Sequence, residues 1–225
     1  MDLRMIDTGE VRLACRVSGA PGGAPLVLLH ALGEDGSDWE AVTEEFGPRR
    51  RVYVPDLRGH GRSERPERYS FELMRDDVLG LLDALGLEQV SLVGHSMGGV
   101  VAYLLAQEQP HRVDRLVLEE APPPYPHDRT VPERPDKGPD FDWAVVPALH
   151  EQLNSPDGEW ESRLEEITAP TLLVAGGMTS HIPQDGIAAM AKRIPDSRLV
   201  TIPAGHCVHA ARPTDFAATL SGFLH

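Results

Sequence analysis

Short apolar runs alternate with segments of helical periodicity along most of the chain. Runs of strand length lie at 26–29, 52–54, 90–93, 116–118, 172–175 and 199–202. Apolar residues recur at helical spacing at 38–46, 71–85 and 213–223. Ahead of them, two apolar stretches at 4–6 and 11–17 flank a turn-rich tetrapeptide, which predicts a hairpin. The later alternation predicts an α/β fold with a mostly parallel central β-sheet flanked by helices.

Residues 121–160 interrupt this alternation. They carry nine of the chain's 20 prolines, with charged residues interspersed. Their apolar side chains, among them Phe141 and Trp143, are numerous enough to pack, so we predict a small insertion with one or two short helices near 143–153 rather than a disordered linker. The chain is therefore divided into a core, 1–121 and 161–225, and a short proline-rich insertion, 122–160. Tyr125 and Trp143 are candidates for contact with an apolar group of a substrate.

Composition narrows the possible partners. A chain of 225 residues fits one domain, and its formal net charge of −14 argues against binding to nucleic acid or to an anionic membrane surface. Only two cysteines occur, far apart in sequence, which predicts no disulfide framework and fits the cytoplasm. No apolar run reaches membrane-spanning length. The sequence does not indicate an oligomeric state.

The most informative motif is Gly-His-Ser-Met-Gly at 94–98. It lies between a predicted strand, 90–93, and a predicted helix. A serine with glycines two positions to either side, at a strand-to-helix junction, is typical of the nucleophile elbow of serine hydrolases. The turn is so sharp that side chains at the two glycine positions would collide with the neighbouring strand and helix. Ser96 is therefore the predicted nucleophile.

A general base is predicted near the C-terminus. His206 follows the last predicted strand and precedes the last predicted helix, in a loop that begins Ala-Gly-His. A histidine at this place suits the role of proton acceptor for a serine nucleophile. His209 is a weaker alternative, better suited to packing against the final helix or capping it. Cys207 is interpreted as a small buried filler and not as a nucleophile.

Two further motifs resemble those of a known family. The stretch 26–32, Leu-Val-Leu-Leu-His-Ala-Leu, with Trp39 shortly after it, is similar to the oxyanion segment of the α/β-hydrolase-fold serine hydrolases, although Ala31 replaces the usual glycine. The stretch 52–63 resembles the turn that follows the fourth strand in that family. The resemblance covers nearly the whole chain. It implies a cap at the proline-rich insertion and an oxyanion hole formed by the backbone N–H groups of Met97 and Leu32.

The acid of the triad departs from the family pattern. The resemblance places an aspartate shortly after the seventh strand, but position 179 is threonine. Some members, including certain haloalkane dehalogenases and lipases, take the acid from the end of the sixth strand instead, where this chain has Glu119 and Glu120. We favour Glu120, which leads into the proline-rich insertion, and keep Glu119 open. Asp185 ranks third because a carboxylate in the first turn of a helix is favoured by the dipole alone.

These residues together imply a serine hydrolase with a Ser-His-Glu triad. We expect it to cleave small or medium carboxylic esters through an acyl-enzyme, without a cofactor or metal. A perhydrolase or haloperoxidase-like enzyme or a lactone hydrolase would use the same triad, and a non-catalytic ligand-binding protein is a further alternative. Dehalogenases and epoxide hydrolases of this fold need an aspartate at position 96. His30 and His95 are expected to fix loops by hydrogen bonding.

Overall fold

An eight-stranded sheet forms the centre of the computed structural model, which describes residues 2–224. The strands are β1 (Asp2–Asp7), β2 (Arg12–Gly19), β3 (Ala24–Leu29), β4 (Arg50–Pro55), β5 (Val90–His95), β6 (Val113–Glu119), β7 (Thr171–Ala175) and β8 (Ser197–Thr201). Their order across the sheet is β1-β2-β4-β3-β5-β6-β7-β8. β2 is antiparallel to β1 and β4, and all other neighbours are parallel. The predicted hairpin and mostly parallel sheet are confirmed.

Eight α-helices occur within the described range. They are α1 (Glu40–Phe46), α2 (Phe71–Ala84), α3 (Met97–Glu108), α4 (Val145–Asn154), α5 (Gly158–Ser162), α6 (Gln184–Arg193), α7 (Val208–Ala211) and α8 (Pro213–Phe223). Short 3-10 turns occupy Gly36–Trp39, Pro110–Arg112 and Arg163–Glu166. No helix within residues 2–224 has the length and apolar character needed to cross a membrane.

The central strands are buried on both faces, which explains the apolar runs of β3, β5 and β7, whereas the edge strands β1 and β8 are largely exposed. Successive side chains of a strand point to opposite faces. In β3, Val27 and Leu29 belong to an apolar cluster with residues of α2 and α3. Leu26 and Leu28 belong to a second cluster with Trp39 and residues of α1 and α8. The sheet is therefore the middle layer of three.

The proline-rich insertion has little regular structure before α4. Residues 120–144 form no helix or strand, whereas α4 coincides with the helix predicted near 143–153. The backbone N–H of Asp142 donates to the Gly59 carbonyl at 2.7 Å, and the Tyr69 hydroxyl donates to the Asp142 carboxylate at 2.7 Å. Phe141 stacks on His60 with ring centroids 5.2 Å apart. These contacts hold the end of the irregular stretch against the rest of the chain. The division into core and cap stays a prediction, and residues 1 and 225 lie outside the described range.

Candidate active site

Ser96 lies at the junction between β5 and α3, with its backbone in the left-handed region at φ 51°. A Cβ built on Gly94 would lie 2.2 Å from the Gly98 carbonyl oxygen, and one built on Gly98 would lie 2.4 Å from the Leu29 carbonyl oxygen. Real Cβ atoms do not approach backbone so closely, so only glycine fits at either position. The Ser96 backbone N–H donates to the carbonyl of Glu119 at the end of β6, at 2.9 Å. Glycine-dependent packing and one cross-strand hydrogen bond therefore hold the elbow.

His206 lies in the loop that follows β8, at the same edge of the sheet as Ser96. Its loop is held by two hydrogen bonds of 3.0 Å, which the backbone N–H groups of Ala204 and Gly205 donate to the carbonyl of Gly176. The ring of His95 lies 4.8 Å from that of His206, centroid to centroid, and Nε2 of His95 is 2.9 Å from the His206 carbonyl oxygen. His95 therefore fixes a loop, in agreement with the role expected for it, and the loop it fixes carries His206.

Glu120 is the carboxylate next to His206. It follows β6 directly, at φ 48°, and its side chain is completely buried. One carboxylate oxygen, Oε2, lies 3.5 Å from Nδ1 of His206. A residue with a positive φ turns the chain sharply, which directs this side chain away from the path of β6.

Donors from the loop after β7 and from the first residue of α6 surround the Glu120 carboxylate. Oε1 accepts from the backbone N–H of Gly176 at 2.5 Å and from Nε2 of Gln184 at 3.0 Å, and Oε2 accepts from the Ser180 hydroxyl. Burial by itself would raise the pKa of Glu120, but the hydrogen bonds with His206, Ser180, Gly176 and Gln184 outweigh it and lower the pKa below its usual value. Glu120 is therefore a carboxylate, able to stabilise an imidazolium.

Thr179 lies in the same loop, at the position where the family resemblance places an aspartate. Its side chain is exposed, and Oγ1 is 3.5 Å from the point that a Cβ on Gly205 would occupy, one residue before His206. The loop therefore passes close to His206 without supplying an acid. The loop contributes the donor Ser180 instead, and Gln184, the first residue of α6, is a second donor. Nothing in the local sequence marks either residue.

Glu119 contacts a different histidine. Its carboxylate accepts from the backbone N–H of His209 at 2.8 Å and lies 2.8 Å from Nδ1 of the same residue. Burial by itself would lower the pKa of His209, but the negative charges of Glu119 and Asp38 raise it to about 10. Of the two consecutive glutamates, the structure thus places Glu120 beside His206 and Glu119 beside His209. Asp185 is exposed in the first turn of α6, and its carboxylate accepts from the N–H of Gly186.

The backbone N–H groups of Met97 and Leu32 are the candidates for the oxyanion hole. Met97 is the first residue of α3, and Leu32 follows the end of β3. Within residues 2–224, neither N–H donates to a protein acceptor. His30 holds the second segment, because its Nε2 accepts from the backbone N–H of Leu57 at 2.9 Å. Burial lowers the pKa of His30 to about 4, so the ring stays neutral and keeps that acceptor.

Tyr125 and Trp143 are the candidates for contact with the apolar part of a substrate. Across the described range, no hydrogen bond joins the side chain of Tyr125 or Trp143 to Ser96, His206 or Glu120. The ring of Trp143 lies 6.0 Å from that of Phe141, which in turn lies over Gly33, next to Leu32. The prediction of Cys207 as a buried filler is wrong, because the residue is exposed. Partial desolvation and the negative charges of Asp38 and Glu119 raise the pKa of its thiol, which disfavours a thiolate nucleophile.

Comparison with known proteins agrees with this geometry. Residues 24–141, more than half of the chain, match the family model for the alpha/beta hydrolase fold. The chain belongs to this family. An sn-1-specific diacylglycerol lipase of Mus musculus is 28% identical over 247 residues, covering 88% of this chain and 80% of the relative. A Bacillus subtilis protein named as a 2-succinyl-6-hydroxy-2,4-cyclohexadiene-1-carboxylate synthase is 30% identical over 269 residues, covering 95% of each chain.

Structural comparison extends the similarity over the full length. The crystal structure of an enol-lactonase from Burkholderia xenovorans superposes with a TM-score of 0.89 at 23% identity and covers 99% of both chains. At this level of sequence identity, the structural similarity shows that the two proteins share a fold. The family match and the names of the relatives support a hydrolytic function for this member of the α/β hydrolase fold family.

Proposed function

We propose that this protein is a serine hydrolase that cleaves small or medium carboxylic esters through an acyl-enzyme intermediate. Three observations support the proposal: the left-handed backbone of Ser96, the 2.9 Å contact of the preceding His95 with the His206 carbonyl, and the buried Glu120 carboxylate 3.5 Å from Nδ1 of His206. A nucleophile, a base and an acid in these roles are the elements of acyl transfer. The diacylglycerol lipase among the relatives, whose name describes an ester hydrolase, supports an ester as substrate.

The first half-reaction forms the acyl-enzyme. Ser96 Oγ attacks the ester carbonyl carbon while His206 Nε2 takes the hydroxyl proton, and Glu120 stabilises the resulting imidazolium. The backbone N–H groups of Met97 and Leu32 stabilise the negative charge on the carbonyl oxygen. The bond from carbon to the alcohol oxygen then breaks, and the alcohol leaves with the proton held by His206.

The second half-reaction releases the acid. Water takes the place of the alcohol, His206 accepts one of its protons, and the hydroxide attacks the acyl carbon through the same oxyanion hole. The tetrahedral intermediate collapses, Ser96 recovers its proton from His206, and the carboxylic acid departs. We propose the segment 122–160 as the cap above this site, with Tyr125 and Trp143 as contacts for the apolar part of the substrate. The net charge of −14 favours uncharged substrates over anions.

Labelling with a fluorophosphonate tests the nucleophile, and a panel of p-nitrophenyl esters of graded chain length, with a lactone added, tests the substrate class. We expect covalent labelling, hydrolysis of the shorter esters, and loss of both in Ser96→Ala, with activity reduced by about 10⁴-fold or more. Ser162→Ala is the matched control, because it removes an exposed hydroxyl at the end of α5. Labelling of Ser96→Ala at the wild-type rate would exclude Ser96 as the nucleophile. Labelling without hydrolysis of any ester would exclude this substrate class.

A further inference from the structure

Three residues beside the candidate site, two buried and one partly exposed, form a row that the mechanism above does not use. The carboxylate of Glu119, at the end of β6, lies 2.8 Å from Nδ1 of His209, and Nε2 on the other side of that ring lies 3.1 Å from the Asp38 carboxylate. The side chain of Glu119 is fully buried and that of His209 is 2% exposed. Trp39 stacks on the imidazole, with ring centroids 4.3 Å apart and planes at 24°. The ring is therefore hydrogen-bonded to Glu119 on one edge, in charge contact with Asp38 on the other edge, and stacked on one face.

The same residues bond to the parts of the backbone that position the nucleophile and the base. The Glu119 carbonyl accepts from the N–H of Ser96 at 2.9 Å, while the Glu119 carboxylate accepts from the N–H of His209, three residues after His206. His95, which precedes the nucleophile, lies 5.0 Å from the ring of His209 and contacts the His206 carbonyl through Nε2. The row thus connects the ends of β5 and β6 to the loop that carries His206.

We propose that Glu119, His209 and Asp38 are positioning residues for the reaction, which fix the loop of His206 so that its imidazole stays between Ser96 and Glu120. This inference rests on the proposed function. A base that moves by about 1 Å from the reacting atoms can lose two orders of magnitude in rate, so a rigid anchor for its loop has a direct effect on turnover. Glu119 acts here through His209 and does not touch the substrate.

A protonated His209 suits the row, because its ring lies between two carboxylates. One oxygen or nitrogen atom from each of Asp38, His95 and His209 lies within 4.8 Å of the other two, a grouping that could hold a divalent cation. However, Nε2 of His209 already contacts the Asp38 carboxylate at 3.1 Å, whereas Nδ1 of His95 is 4.0 Å from it. Among the described residues, Oδ2 of Asp38, Nδ1 of His95 and Nε2 of His209 have no hydrogen-bond partner, so this side of the ring suits either a proton or a cation. The cation remains a defined outcome of the test below.

The test compares His209→Gln, Glu119→Gln and the double variant by their rate of fluorophosphonate labelling and by kcat and KM for one p-nitrophenyl ester. We expect each single variant to lower kcat and the labelling rate about 10- to 100-fold while KM changes less than about 3-fold. If Glu119 acts through His209, the double variant falls no further than the single ones, because residues that work through one contact are not additive. Asp38→Asn, which changes a less buried group, gives a milder variant should the others fold poorly.

A matched control separates positioning from a general loss of stability. Asp77→Asn disrupts another buried ion pair, that of Asp77 with Arg58. The Asp77 side chain is 1% exposed and the Arg58 side chain is 4% exposed. We expect it to lower Tm and to leave the labelling rate of Ser96 unchanged at temperatures where the variant is folded.

Several results would overturn the inference. They are labelling of His209→Gln at the wild-type rate, full additivity of the Glu119 and His209 variants, and an equal loss of labelling in the folded Asp77→Asn control. Loss of wild-type activity on treatment with a chelator, followed by recovery with Zn²⁺, would show that a cation binds Asp38, His95 and His209 in place of the proton. If wild-type protein neither labels nor hydrolyses an ester, the proposed function fails, and that result is distinct from an active wild type with equally active variants.

Discussion

Replacing Glu120 by glutamine is the sharpest test of the triad, since it removes a charge and keeps the shape of the side chain. Glutamine can still accept from the backbone N–H of Gly176 through its carbonyl oxygen. Its amide nitrogen, however, is a donor and can then face Nδ1 of His206. A donor at that place favours the tautomer with the proton on Nε2, which cannot take a proton from Ser96.

The size of the effect follows from the geometry. At the 3.5 Å separation of Nδ1 and Oε2, a pair of unit charges interacts by about 5 kcal/mol at an effective dielectric constant of about 20. The His206 side chain is 20% exposed, so solvent screens part of this energy. We expect the barrier to rise by about 3–4 kcal/mol, which lowers kcat by about 10²- to 10³-fold. The wrong tautomer lowers it further.

The assay is kcat and KM for a short p-nitrophenyl ester, recorded between about pH 5 and 9, with Asp185→Asn as the control. That control removes an exposed carboxylate of the neighbouring helix, α6, and we expect it to keep wild-type kcat. We expect kcat to fall less in Glu119→Gln than in Glu120→Gln. A kcat for Glu120→Gln within about threefold of wild type would refute the role of this carboxylate, and the opposite ranking of the two glutamates would assign it to Glu119.

Three further outcomes are expected. Thr179→Asp places a carboxylate in the loop beside Gly205 and His206, so it should restore part of the kcat lost in Glu120→Gln, measured in the double variant with the same ester. Trp143→Ala should change KM more than kcat across esters of increasing chain length, because the proposed contact is to bound substrate and not to the reacting atoms. Burial lowers the pKa of His30 to about 4 and that of His60 to about 3, so the unfolded chain binds more protons below its own histidine pKa of about 6.5. The free energy of unfolding, measured with urea, should therefore fall as the pH decreases. These two residues contribute a slope of about 2–3 kcal/mol per pH unit near pH 5. A urea midpoint that stays constant from pH 7 to 5 would contradict this reasoning.

Local sequence predicted those features that depend on local physics. The elbow at Ser96 follows from a strained turn and two glycines, and the fold follows from apolar runs that are buried on both faces of the sheet. The sequence favours Glu120 as the acid but does not exclude Glu119. The two residues differ in backbone conformation, since only Glu120 has a positive φ, and no sequence pattern encodes this difference. The contacts of Ser180 and Gln184 with Glu120 join residues about 60 positions apart. Such contacts depend on the packed loops and have no signature in the sequence.

The path of residues 120–144 was equally beyond sequence reasoning. Prolines and scattered aromatic residues indicate a packed insertion, but they do not specify which side chains face the substrate. The structure places Phe141 on His60 and over Gly33. The sequence predicts only that this side chain packs within the insertion. Its neighbour Trp143 stays a prediction for substrate contact.

The left-handed backbone at Glu120 has a consequence for how this chain can change over evolution. A single bend sends two adjacent carboxylates to two different imidazoles, so one strand terminus supplies both the group assigned to proton transfer and the group assigned to loop anchorage. Inserting or deleting one residue at this point would exchange or abolish both roles at once. The two carboxylates can be substituted separately, but their spacing cannot drift. We therefore expect length variation among close homologues to be absent between positions 118 and 121 and to accumulate in the irregular segment that follows.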